Sequence, residues 1–362
     1  MRALGTLAVG ICLASASPAL AAAPEVSVSG NQLVDASGAP LRLLGANRSG
    51  TEYACAQGWG FTDSPNYREP DSAALIGAMR SWNIAAVRIP LNEACWLGTN
   101  GVKARWGGLN YRSKVATYVE RLEAAGINPV LDLHVVTPRN YPADKGTNGL
   151  RPLPDLAHAL PFWRQVARRY GADRRVVFDL YNEPNDTTWR CLRDGCLVTH
   201  DFYSRDVPDY RAVGTQRLVR AIRGEGAKNV IMVPGLTWTN DLRKWLRFKP
   251  RDPLRRIAAS FHNYEHPLGA CHAACWEKTI APVAARFPVI TGEFGDTDCD
   301  HDYSDSYMDW ADAHGVSYLG WTWDATGPGG WTCAGGPALI KDYDGTPTDY
   351  GVGLRDHLLA LG

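Results

Sequence analysis

Two glutamates in this chain stand where an apolar run gives way to polar loop. One lies in Asp179-Leu180-Tyr181-Asn182-Glu183-Pro184-Asn185, the other in Val289-Ile290-Thr291-Gly292-Glu293-Phe294-Gly295. Two carboxylates facing each other across a cleft can work on a bond held between them. One protonates the leaving oxygen while the other attacks carbon, which is the chemistry of glycoside cleavage. Asn182 beside Glu183 suits a hydrogen bond to a hydroxyl next to that bond. Pro184 fixes φ just after Glu183 and helps to aim it. The chemistry needs both side chains on one face of a rigid scaffold.

The rest of the chain supplies such a scaffold. Apolar runs at 41–46, 84–89, 127–133, 176–181, 229–233, 257–261, 288–292 and 316–321 read as strands. They are nearly continuous and not alternating, as strands covered on both faces of a parallel sheet are. Amphipathic stretches at 71–82, 110–125, 155–171, 209–225, 241–247, 272–286, 304–314 and 351–360 fall between and after them. Eight strand–helix pairs in order predict an α/β fold, a (β/α)8 TIM barrel. An open doubly wound sheet would carry a Gly-rich turn after its first strand, and none follows here. Gln32-Leu33-Val34, a turn at Asp35–Gly38 and Leu41–Leu44 read as a short N-terminal β-hairpin leading into the barrel.

In a barrel of this kind the chemistry sits at the C-terminal strand ends. Glu183 and Glu293 fall on the fourth and seventh strands, on opposite sides of the ring. The other ends are polar or aromatic: Arg88 on the second, His134 on the third, His262 and Tyr264 on the sixth, Trp321 and Trp323 on the eighth. Arg88 can hold a carboxylate as its anion. The histidines can orient the carboxylates and Tyr264 can donate to one. An indole gives a flat floor for a sugar ring. Trp59, Trp96, Trp106, Trp189, Trp238, Trp276 and Trp331 lie in or near loops on or around that face, as sugar platforms or as packing.

Composition narrows the partners. With 38 Lys and Arg against 38 Asp and Glu in 362 residues, the formal charge is zero. That excludes a nucleic-acid binder that relies on a basic surface. Residues 1–23 combine Arg2, a short apolar run and Ala-rich residues, the pattern of a secretory signal peptide. The remainder, 24–362, reads as a single catalytic domain, with no second apolar run suited to a membrane and no linker to a further module. It is expected to be secreted and monomeric. Removing the leader takes Cys12 and leaves eight cysteines. Proximity pairs Cys191–Cys196 and Cys271–Cys275, and elimination leaves Cys55–Cys95 and Cys299–Cys333, out of roughly a hundred connectivities. Their spacings do not form a zinc motif, so no metal and no cofactor is expected.

Taken together, Arg88, His134, Asn182-Glu183-Pro184, His262-x-Tyr264, Glu293 and Trp321 resemble glycoside hydrolase family 5, the cellulase family of the large retaining barrel clan. The resemblance runs from the hairpin before Asn47 to Asp344-Gly345-Thr346. It implies Glu183 as acid/base, Glu293 as nucleophile and the other residues as their partners. Between Trp321 and Trp323, Trp321 sits nearer the strand terminus. It also implies a retaining double displacement, no metal, and carboxyls roughly 5–5.5 Å apart. The expected substrate is a polysaccharide or oligosaccharide, first a β-1,4-glucan cut internally. A β-mannanase or an exo-acting β-glycosidase is the alternative, and a non-catalytic glycan-binding barrel stands behind both. The Asn92–Trp96 loop and the Cys271–Cys275 insertion lie outside the family core pattern and can reshape the cleft.

Overall fold

The structure, a computed structural model, describes residues 21–62, 72–146, 151–199, 206–265, 271–296, 300–325 and 337–362. Eight parallel strands close a barrel: β1 Leu44–Asn47, β2 Ala86–Asn92, β3 Asn128–Val135, β4 Val177–Asp179, β5 Ile231–Pro234, β6 Ile257–Tyr264, β7 Val289–Gly295 and β8 Ser317–Gly320. Each pairs with the next, and β8 closes on β1. Gly45 lets β1 and β2 approach closely, since a Cβ there would meet the Ala86 carbonyl oxygen at 2.0 Å.

The helices start and stop for local reasons. Ser72, Asp155 and Thr348 each accept a backbone N–H at the start of helices Ala73–Ser81, Leu156–Tyr170 and Asp349–Leu361. A capping side chain satisfies donors that the first turn leaves free. Three expectations need correction. The 209–225 stretch opens with Tyr210–Arg211, paired to Leu197–Val198, and becomes helical only at Thr215. The 272–286 stretch divides into Ala273–Thr279 and Ala281–Ala284, because Pro282 lacks an N–H and begins a new helix. The 241–247 stretch is helical only from Trp245, in the short helix Trp245–Phe248.

Residues two apart on a strand share a face. Ala86, Val130, Val177, Met232, Ala258, Ile290 and Leu319 form one buried cluster inside the barrel. Val26 and Leu33 belong to it, so the N-terminal hairpin plugs the lower end. That hairpin is larger than expected: Ser27–Ser29 adds a strand beside Gln32–Val34, and Pro40–Leu41 belongs to it rather than to β1. Two residues further along, the same inward face turns polar: Arg88 above Ala86, Asp132 above Val130, Asp179 above Val177, Ser260 above Ala258. The core is therefore apolar below and charged near the mouth.

Disulfides join Cys55–Cys95, Cys191–Cys196 and Cys271–Cys275. The expected Cys299–Cys333 pair lies outside the described residues, as do residues 1–20 of the expected leader.

Candidate active site

The strand ends bring Glu183 and Glu293 together over the barrel axis. Glu293 owes its direction to a bulge. Phe261 pairs with Thr291 and His262 with Glu293, which leaves Gly292 unpaired. Ile290 points inward, so an unbroken strand would point Glu293 outward. The extra residue restores it to the mouth, a common use of bulges beside active sites. Glu183 lies past the end of β4 with φ of 51°, a left-handed conformation that is costly for a residue with a Cβ. Asn185 Nδ2 donates to the Glu183 carbonyl at 3.1 Å and the Trp238 N–H to the Pro184 carbonyl at 2.9 Å. The neighbouring loop thus holds the strained turn in place.

Oxygens of the two carboxyls lie within 4.8 Å of each other, with His262 Nδ1 completing the group. That nitrogen is 3.0 Å from Glu183 Oε1 and 3.6 Å from Glu293 Oε2. Tyr264 donates its hydroxyl to Glu293 Oε2 at 2.7 Å, and Arg88 Nη1 donates to Oε1 at 2.7 Å. Both donors suit a carboxylate, which only accepts. Burial, followed by the charge of Glu293, pushes the Glu183 carboxyl well above the usual range. About 15% of its side chain remains open to the cleft. The pair is therefore asymmetric: an acid that keeps its proton faces a carboxylate clamped between two donors.

Arg88 is the hub beneath them. It donates Nε to Asp179 at 3.0 Å, Nη1 to Asn47 at 3.0 Å and Nη2 to Asn182 Oδ1 at 2.9 Å, and its Nη2 forms an ion pair with Asp132 Oδ2 at 2.9 Å. Despite burial, the acids around it, Asp132 and Glu293 foremost, hold it as a cation. Because Arg88 takes the Asn182 oxygen, the Asn182 NH2 faces His134 Nε2 at 3.3 Å. His134 must accept there and donate Nδ1–H to Asp132 at 2.7 Å. Burial lowers its pKa to about 3, so this tautomer is neutral. Burial likewise lowers His262, and Tyr264 is raised by burial and by Glu293.

Asn47, Asp132 and Asp179 were missed at the sequence level. A signal existed for the two aspartates: an ionisable residue inside a doubly covered strand, two positions above an inward valine, must face the barrel interior. Trp321 stacks on His134 with centroids 5.6 Å apart and is part-exposed. Trp323 is a correction. It is fully buried, edge-on to Trp82 at 4.7 Å, and lines the core instead of the cleft. Of the other tryptophans, Trp96, Trp189 and Trp276 are buried, Trp106 and Trp238 are partly covered, and Trp59 is 46% exposed. Trp331 lies outside the described residues.

Among the described residues, two groups have metal-ligating types close enough to hold an ion: Glu183, His262 and Glu293, and Glu93, Asp155 and His158. In the second, His158 Nδ1 lies 3.0 Å from the Thr137 carbonyl, which only accepts, so that nitrogen carries a proton and offers no lone pair.

Comparison with known proteins agrees with this architecture. The family model described as cellulase (glycosyl hydrolase family 5) matches residues 34–327. A mannan endo-1,4-beta-mannosidase of Streptomyces lividans is 25% identical over 327 residues, 87% of this chain and 70% of that protein. Endoglucanase 1 of Robillarda sp. is 28% identical over 189 residues, 46% of this chain and 43% of that protein. Among solved structures, a beta-glucanase of Saccharophagus degradans superposes with a TM-score of 0.66 at 19% identity, covering 95% of both chains.

Proposed function

The chain belongs to glycosyl hydrolase family 5, and we propose that it is a retaining endo-β-1,4-glucanase with Glu183 as acid/base and Glu293 as nucleophile. One observation carries the mechanism: an oxygen of each carboxyl lies within 4.8 Å of one on the other, and His262 Nδ1 touches Glu183 Oε1 at 3.0 Å and Glu293 Oε2 at 3.6 Å, leaving little room between them. Inverting enzymes keep theirs roughly 6.5–9.5 Å apart to seat a water between carboxylate and sugar. A closer pair suits direct attack. Glu183 gives its proton to the glycosidic oxygen while Glu293 bonds to the anomeric carbon. Glu183, now a carboxylate, then takes a proton from water as that water displaces Glu293. Arg88 and Tyr264 stabilise the carboxylate charge that Glu293 gives up on bonding to carbon and regains on release, and Trp321 offers its ring face to the sugar.

The glucan reading draws on the endoglucanases among the relatives. The same beta-glucanase was also solved with cellotetraose bound. A β-1,4-mannan is the second reading, favoured by the mannosidase that matches most of the chain. The two backbones differ at the C2 hydroxyl, the hydroxyl beside the scissile bond that Asn182 is suited to meet. We further propose that residues 1–23 are a cleaved leader and that the mature enzyme acts outside the cell as a monomer. No helix among the described residues is long and apolar enough to cross a membrane.

The test is hydrolysis of β-1,4-glucan, β-1,4-mannan and aryl β-glycosides by wild type and Glu183→Ala. Cleavage of one backbone is expected. The variant should lose the polysaccharide yet still release an activated phenol, which needs no proton to leave. Equal loss on both substrate types would remove Glu183 from the acid role, and no release by wild type would reject the enzyme reading. N-terminal sequencing of protein from the culture medium tests the leader.

A further inference from the structure

We propose that Asp179 is held as a neutral carboxylic acid and acts as a positioning residue that leaves the charge of Arg88 to Glu293. The role given to Glu293 rests on the catalytic reading above; the protonation itself does not. Asp132 and Asp179 are direct partners on neighbouring strands β3 and β4. Their side chains are 0% and 1% exposed. Like charges opposite each other on paired strands repel, and buried charges need a counter-charge. Among the described residues, the cation touching them is Arg88, which also holds Glu293. One guanidinium therefore faces three carboxyls.

The other groups facing this cluster add no positive charge. Glu183 is acidic, His134 and His262 are neutral, Tyr264 is a phenol, and Asn47 and Asn182 are amides. Donor counts show which carboxyl takes a proton. Glu293 receives Arg88 and Tyr264. Asp132 has Arg88 Nη2 as an ion-pair partner at 2.9 Å and receives His134 Nδ1–H, whose tautomer Asn182 fixes. Asp179 receives only Arg88 Nε; each aspartate keeps its Oδ1 buried without a hydrogen-bond partner, so the difference lies in the imidazole donor that Asp132 alone has. Burial, opposed by Arg88, holds both aspartates at about 8, so the shift does not tell the two apart and the donors do. A proton on Asp179 removes the repulsion across β3 and β4 while the hydrogen-bonded frame of Asp132, His134 and Asn182 stays charged and aligned.

The protonation predicts a linkage between pH and stability. A carboxyl whose folded pKa is raised stabilises the fold fully below its unfolded pKa, and that contribution fades as pH rises through the folded value. For Asp179 the window runs from 3.8 to about 8. Asparagine mimics the neutral acid and does not titrate. The Tm of Asp179→Asn relative to wild type should therefore climb across that window, whereas a purely packing role would give a constant offset. An infrared carbonyl band of a protonated acid, distinct from that of Glu183, should also disappear in Asp179→Asn and persist in Asp132→Asn. Neutron diffraction of wild-type crystals, which needs no variant, should place a deuteron on Asp179. If the band vanishes in Asp132→Asn instead, if the Tm offset is flat, or if the deuteron is absent from Asp179, the proposal fails, whatever the substrate proves to be. In the kinetic arm at pH 6, Asp179→Asn preserves the neutral state but alters an acceptor of Arg88, and should lose less kcat than Asp132→Asn. Asp132→Asn should lose roughly tenfold or more, because the frame under Asn182 shifts. Equal losses in the two variants would remove the positioning role.

Discussion

Replacing Tyr264 with phenylalanine removes one hydroxyl and little else. That hydroxyl donates to Glu293 Oε2 at 2.7 Å, while Arg88 continues to hold Oε1 at 2.7 Å. Hydrogen bonds to charged groups contribute about 1.5–3 kcal/mol, which corresponds to roughly 10–150-fold in rate. The sign depends on the step. In the proposed mechanism Glu293 loses its charge when it bonds to the sugar and regains it when water displaces it. A donor to the carboxylate therefore favours the second step and does nothing to hasten the first. Tyr264→Phe should slow breakdown of the glycosyl-enzyme and let that intermediate accumulate. With an activated aryl glycoside, kcat should fall by roughly 10–10²-fold and KM should fall with it. Rapid mixing should show a burst of phenol approaching one per enzyme. A fall in kcat with unchanged KM and no burst would place Tyr264 on the first step and refute the reasoning.

Other substitutions probe the scaffold. Gly292→Ala would bring a Cβ to 3.0 Å from His262 Nε2 and 3.2 Å from Ser260 Oγ; displacing His262 from both carboxyls should lower kcat roughly tenfold or more with the fold retained, as measured by kinetics and circular dichroism. Trp323→Ala empties a fully buried site against Trp82 and should cost about 3–5 kcal/mol in urea unfolding. Trp321→Ala should instead cost roughly tenfold in activity, with stability little changed. Converting Cys55 and Cys95 to alanine opens a crosslink spanning a sequence separation of 40 and should cost about 4 kcal/mol by the loop-entropy relation, measurable by denaturant unfolding with and without reductant.

The sequence by itself determined the barrel and most of the mouth. Continuous apolar runs specify buried parallel strands, and eight of them alternating with amphipathic stretches leave few ways to close a sheet. Glu183, Glu293, Arg88, His134, His262 and Tyr264 were legible because polar residues just past such runs must stand at the strand ends. Three things lay beyond it. The bulge at Gly292 decides which way Glu293 points, and a one-residue insertion in the pairing depends on the register of the neighbouring strand. The partnership of Asp132 and Asp179 depends on strand alignment across the sheet, although each residue carried its own local signal. The division between Trp321 and Trp323 depends on which side of the last strand faces His134 and which faces Trp82. Strand periodicity is local and can be read from the chain. Register, bulges and cross-barrel contacts are relations between distant segments, so only the closed barrel decided them.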